Sequence, residues 1–239
     1  MALRLGIDID GVLADFRTAF RDAARACLDR EVPMDATDDK APLAHGDIDR
    51  VWNHIARSSN WWMSVPAFEP AQIANLYALS RSGQWEVCFL TKRPASGGDA
   101  VQFQTQWWLE QQGFFLPAVM TVPGSRGEVA NALRLDLAID DQFVNCAEII
   151  GAGPTKALLM LRDPNPTLRQ HAIDRGVGVV SSLADTLPIL LQLHELMQSQ
   201  RGRMIRLTEW FRPKAADTLP HSPRVVRPVP GPAEPKAGG

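Results

Sequence analysis

Short apolar runs alternating with amphipathic stretches organise most of the chain. Residues 3 to 9, 85 to 91 (WEVCFLT), 118 to 122 (AVMTV), 136 to 140 (DLAID) and 157 to 161 (ALLML) are apolar runs of strand length. Between them, residues 99 to 112 place Phe103 and Trp107 at helical spacing before Gly113. Residues 126 to 134 follow Ser125, which with Glu128 has the spacing of a capping box and so of a helix start. Strands and helices in alternation, joined by short loops, predict an α/β fold with a parallel sheet and helices on both of its faces. Ligands of such sheets gather at the carboxyl ends of the strands.

One connection departs from this rhythm. About 70 residues separate the first strand from the second, far more than a crossover helix needs. Within that stretch Phe16, Ala19, Phe20, Ala23 and Cys27 share one helical face, and Ile48, Val51, Trp52 and Ile55 share another. The pattern predicts a small helical cap over residues 16–70, inserted into a core formed by 1–15 and 71–200. Residues 201–239 form a terminal extension. From Pro213 onward it carries seven of the chain's eighteen prolines and little apolar periodicity, which predicts disordered or extended chain.

Composition narrows the function classes. With 239 residues and 45% apolar side chains, the chain can fill one sizeable core. The 25 basic and 27 acidic residues nearly cancel, so no general attraction draws it to a long nucleic acid or an anionic membrane. Cys27, Cys88 and Cys146 are widely spaced, and each lies among apolar neighbours, which predicts reduced core thiols. The N-terminus runs directly into a strand pattern and no apolar run has the length of a membrane span, which makes the cytoplasm the expected compartment.

The candidate chemistry lies at the predicted strand ends. In GIDIDG, Asp8 and Asp10 occupy alternate positions, so they face one side about 6.6 Å apart along the strand. Two ionised carboxylates at that spacing repel by roughly 2.5 kcal/mol at an effective dielectric of about 20. Such a pair needs a cation, or else raises the pKa of one member, as a general acid requires. Thr91 ends the second strand, Arg126 opens the helix after the third, and Asp140 and Asp141 finish the fourth. A hydroxyl, a cation at a helix N-terminus and further hard oxygen ligands in that order describe a metal-assisted phosphoryl site.

These stretches, DIDGVLADF, FLTKRP, SRG and AIDD, resemble the four ordered motifs of the haloacid dehalogenase superfamily, over roughly residues 4 to 190. IDIDGVLADF, SSNWWMSVPAFEPAQIANLYALS and TQWWLEQQGF are similar to segments of the 5'(3')-deoxyribonucleotidase family and its bacterial relatives. The resemblance implies a Rossmann-like core and a magnesium-dependent phosphomonoesterase acting on a nucleoside monophosphate. It implies that Asp8 is the nucleophile and Asp10 the general acid and base. Magnesium would be held by Asp8, the Asp10 backbone carbonyl and one carboxylate of the Asp140/Asp141 pair, either of which could be the direct ligand, with the other acting through water. Thr91 would bind phosphate together with Arg126 or Lys92, since the superfamily's usual third-motif lysine has no match here and either cation could replace it. Phe16, Trp61 and Trp62 would sandwich the base; for Trp52 a core role and a pocket role are both open.

Other constellations are weaker. The five histidines lack metal-ligand spacing, and GAGPTK at 151 to 156 lacks the spacing of a P-loop. A phosphatase for another small phosphomonoester or for a nucleic-acid 3'-phosphate end, and a catalytically silent binding protein, are the competing readings. Base preference and pairing with a second copy are not legible in the chain.

Overall fold

The computed structural model describes residues 2–33 and 43–199. The expectations for the terminal extension lie outside the described residues. Six parallel strands form one sheet: β1 (Arg4–Asp8), β2 (Glu86–Thr91), β3 (Ala118–Thr121), β4 (Leu137–Asp140), β5 (Lys156–Met160) and β6 (Gly178–Val180), in the order β3-β2-β1-β4-β5-β6. The predicted runs locate β1 to β5. The three-residue β6 is too short to carry an apolar period of its own and is held by pairing with β5.

Strand parity distributes the side chains. Leu5 and Ile7 of β1, Phe89 of β2, Val119 of β3 and Leu137 and Ile139 of β4 enter one core. There they meet Ile73 and Leu76 of α3 (Pro70–Gly83), Trp108 and Leu109 of α4 (Val101–Gln111) and Leu187, Leu190 and Leu193 of α8 (Leu183–Gln198). Leu90, Ala138 and Leu159 enter a second core with Ala130 of α5 (Arg126–Ala132), Cys146 and Ile149 of α6 (Phe143–Ala152) and Ala172 of α7 (Pro166–Asp174). The helices thus cover both faces, as a parallel sheet requires. Ser125 caps α5 by accepting from the Gly127 amide, and its hydroxyl bonds Glu148 of α6.

The long connection holds α1 (Phe16–Leu28) and α2 (His45–Arg57), which pack around Phe20, Ala23, Ala24, Val51 and Ile55. Cys27 lies half-buried outside that cluster, as Cys88 does among its own neighbours, and only Cys146 of the three thiols is buried. A short 3-10 helix, Trp61–Ser64, leads the chain back. The outgoing and returning segments pair as a two-stranded ribbon: the Asp15 amide donates to Pro66 and the Phe68 amide to Leu13, at 2.8 and 2.9 Å. Among the described residues no helix is long and apolar enough to cross a membrane.

Candidate active site

The chain continues from β1 to β2 on one side of the sheet and later returns to β4 on the other. The carboxyl ends of β1 and β4 therefore flank the point where the winding reverses, which is the crevice of an open α/β sheet. Asp8 ends β1 and Asp140 ends β4, one register position beyond the paired Ile7 and Ile139. Both carboxylates share the parity of the second core, so they face the N-terminus of α5. There the buried Arg126 donates from Nη2 to Asp8 Oδ1 at 2.5 Å, and its Nε lies 3.6 Å from Asp140 Oδ2. Asn145 of α6 donates to both Asp140 oxygens, at 2.8 and 2.9 Å, and the Gln142 amide adds a third bond at 2.8 Å.

This charge arrangement is not balanced. Burial, followed by the Asp140 carboxylate, pushes Asp8 well above the ordinary carboxylate range; Arg126 offsets part of this, while Asp141 and Asp10 add to it. Burial and then Asp140 push Asp141 up to about 7. A carboxyl whose folded pKa is raised adds stability that is fully present below its unfolded value and is lost as pH rises through the folded one. The metal-free wild type is therefore expected to lose stability relative to Asp141→Asn between about pH 4 and about pH 7. Urea midpoints of the two proteins in chelator check this, and a constant difference between them across that range contradicts it.

Asp10 lies past the strand end, where Arg93 grips it as a fork. Nε is 2.9 Å from Oδ2 and Nη2 is 2.8 Å from Oδ1. The Arg93 side chain is fully buried, 4.8 Å over the Trp62 ring and 5.7 Å over that of Trp108, with Nη1 on Thr105 Oγ1 at 3.2 Å. Gly11 follows with φ +86°, and a Cβ there would overlap the Asp141 carboxylate. The close approach brings Asp141 against the turn that carries Asp10. Gly11→Ala is expected to cost about 1–3 kcal/mol, from left-handed backbone and collision together. Chemical denaturation checks it, and a change within about 0.3 kcal/mol means that the turn yields freely.

Two buried polar atoms here lack a protein partner: the Thr91 hydroxyl, on a residue 1% exposed, and Arg126 Nη1. Unsatisfied buried donors of this kind at the ends of adjacent strands suit an anion. Lys92 is exposed at the end of β2, whereas Arg126 bonds Asp8 directly. Among the described residues no three His, Cys, Asp or Glu side chains form a ready-made metal-binding group. Arg126 and Asn145 engage the oxygens of Asp8 and Asp140 that a metal would need. The donor chemistry nevertheless fits a hard divalent cation. The carboxylates of Asp8, Asp10, Asp140 and Asp141 outnumber the guanidiniums of Arg93 and Arg126 by two charges, and Asp8 and Asp141 bear the strain of that excess.

The aromatic residues divide. Trp62 is 1% exposed: its Nε1 donates to Pro94 at 2.9 Å, its amide to Gln104 at 3.2 Å, and Arg93 lies over its ring. The expectation that Trp62 stacks on a base is therefore corrected, because the ring is core. Phe16, Trp52 and Trp61 are half-buried at the border of the sheet core and the helical insertion. Phe16 stacks near-parallel with Trp52 and Trp62, at 5.9 and 6.0 Å, and meets Trp61 edge-on at 6.3 Å. Sequence reasoning missed Arg93 and Asn145. The KRP that follows Thr91 is the signal that could have found the first.

No family model matches the chain, and no curated protein matches it in sequence. Solved structures do match in shape. A HAD family hydrolase from Deinococcus radiodurans R1, solved with bound phosphate and sodium, is 14% identical with a TM-score of 0.53, over 81% of this chain and 96% of that one. A predicted phosphoglycolate phosphatase from Haemophilus somnus 129PT is 12% identical with a TM-score of 0.52, over 79% and 98%. A hydrolase from Pseudomonas syringae is 15% identical with a TM-score of 0.50, over 80% and 99%. At these identities the likeness concerns architecture: the chain has the Rossmann-like fold of the haloacid dehalogenase-type hydrolases.

Proposed function

We propose that the protein is a magnesium-dependent phosphomonoester hydrolase that works through an aspartyl-phosphate, with a nucleoside monophosphate as its substrate and residues 16–70 as its cap. The observation that carries this reading is the buried Asp8 carboxylate held by Arg126, whose Nη1 has no partner, at the sheet's switch point, with a second unpartnered buried donor, the Thr91 hydroxyl, at the end of the adjacent strand. The phosphate bound in the Deinococcus neighbour supports it.

In this reading Thr91 and Arg126 orient the phosphoryl group and stabilise its equatorial charge. Asp8 Oδ attacks phosphorus in line, and the bond to the leaving alkoxide breaks as Asp10 supplies a proton. Asp10 then takes a proton from water, the water oxygen bonds phosphorus, and the Asp8–phosphorus bond breaks to release inorganic phosphate. Asp8, the Asp10 backbone carbonyl, Asp140 and Asp141 would hold the magnesium, whose charge offsets the surplus carboxylates and the transferring group. Asn145 and the Gln142 amide keep Asp140 oriented for that role.

Base recognition would fall to Trp61 and Trp52 at the rim, beside Phe16. The burial of Trp62 favours a second reading, in which the same site serves another small phosphomonoester with no base to stack. The test is phosphate release from deoxyribonucleoside monophosphates, a sugar phosphate and a 3'-phosphorylated oligonucleotide, each with magnesium and with chelator. Magnesium-dependent turnover with mononucleotides ahead supports the full reading. A sugar phosphate ahead selects the second, and no turnover of any substrate removes both.

A further inference from the structure

We propose that Arg162 and Glu69 are a positioning pair that fixes the turn after Asp10 and both crossings between sheet and insertion. The proposal rests on the phosphohydrolase reading for its kinetic consequence, but not for its structural one. Arg162 lies two residues beyond β5 and points back across the sheet end. Its Nε donates to the Gly11 carbonyl at 3.2 Å, Nη2 to the Val12 carbonyl at 2.5 Å and Nη1 to Glu69 Oε1 at 3.0 Å. Its guanidinium carbon stands 3.8 Å from the centroid of the Phe68 ring. Glu69 in turn accepts from the Leu183 and Ala184 amides, at 2.9 and 3.1 Å, at the first turn of the sixteen-residue α8.

The arrangement joins four places distant in sequence. The outgoing segment is held at Gly11 and Val12, the returning one at Phe68 and Glu69, and both are tied to the end of β5 and the start of α8. The ribbon bonds between Leu13–Asp15 and Pro66–Phe68 hold the crossings to each other, and the Arg162–Glu69 pair fixes the ribbon to the sheet. Because a peptide unit is planar, gripping the Gly11 and Val12 carbonyls sets the orientation of the two successive units from Gly11 to Leu13, one unit beyond Asp10. The two side chains are 20% and 21% exposed, so the pair is partly shielded from solvent and salt. The neighbouring contact from Asp163 to Arg17 of α1 is far more exposed and weaker by the same argument.

A fork explains why arginine stands here. One guanidinium addresses two carbonyls and a carboxylate in fixed directions, whereas a lysine ammonium is a point charge on a flexible stem. Arg162→Met and Arg162→Lys are therefore both expected to speed amide exchange at residues 11–15 and 66–69 by about tenfold, with protection in β1 and β4 retained. Both are expected to lower kcat for the best phosphomonoester by about tenfold or more, with KM changed by less than about threefold.

Hydrogen exchange by mass spectrometry, with kinetics on the same samples, is the test. Unchanged exchange at both crossings in Arg162→Met overturns the proposal, and so does a lysine variant that behaves as wild type, since bulk charge would then suffice. If Arg162→Met does not fold, Glu69→Gln replaces it, with faster exchange expected at 66–69 and at the first turn of α8. A wild type without turnover on any phosphomonoester overturns the phosphohydrolase reading, while the exchange comparison still decides the positioning role.

Discussion

Asp8→Asn is expected to abolish turnover, by on the order of 10⁴-fold or more, while leaving a protein at least as stable as wild type. Losses of this size follow when the group that forms the covalent bond is removed and the surrounding binding groups remain. The stability side follows from the surroundings of the side chain. Asp8 is buried beside Asp140, and its carboxyl is pushed well above the ordinary range, so the fold works against its ionised form. Asparagine keeps the shape and an oxygen for Arg126 Nη2 without the charge. The sign is that of a raised pKa. Wild-type Asp8 contributes its stability below the unfolded value of about 3.9 and loses it as pH rises through the folded one. The variant's advantage in chelator should therefore be absent in acid and widen toward neutral pH. Phosphate release and thermal melts on the same preparation measure both. An active variant contradicts the nucleophile assignment, and an advantage that shrinks with pH contradicts the electrostatic account.

The second large effect is at Arg126. Its guanidinium is the cation between Asp8 and Asp140, whose strands lie side by side. Arg126→Met leaves two buried carboxylates facing each other. Removal of one partner from such a buried group costs about 3–5 kcal/mol, and the loss should diminish toward acid pH as the carboxylates protonate. Magnesium should restore part of it. If Arg126 binds the phosphoryl group as proposed, activity should fall by about 10²- to 10³-fold. Arg126→Lys keeps a charge at the helix N-terminus and should retain more stability and activity than Met; urea denaturation and phosphate release compare the three proteins. Equal stability of wild type and Met variant in chelator contradicts the assigned charge balance.

The parity rule made much of this legible in the chain. Alternation in LGIDID places Asp8 opposite the face of Leu5 and Ile7, and LAID does the same for Asp140, so two aspartates far apart in sequence reach one sheet end from one side. What was not legible depends on burial that local sequence does not encode. Lys92 and Arg93 are adjacent cations, yet Lys92 is exposed and Arg93 lies buried over two indole rings with both hands on Asp10. Trp61 and Trp62 pose the same problem: the 3-10 helix decides which ring turns inward, and Trp62 goes in because Pro94 offers its indole an acceptor. Asn145 looks like an ordinary polar position on α6 until the end of β4 is placed beside it. Arg162 and Glu69, 93 residues apart, have no local signature at all.

In the proposed mechanism, aspartates from the start and the middle of the chain share one divalent ion. Titration of the metal-free protein with manganese, a paramagnetic substitute for magnesium that takes the same hard oxygen donors, measures this directly by electron paramagnetic resonance. The wild type is expected to bind one ion per chain, with affinity reduced by about 10- to 100-fold or more in both Asp8→Asn and Asp140→Asn. Undiminished binding in both variants, or none in the wild type, would contradict that mechanism.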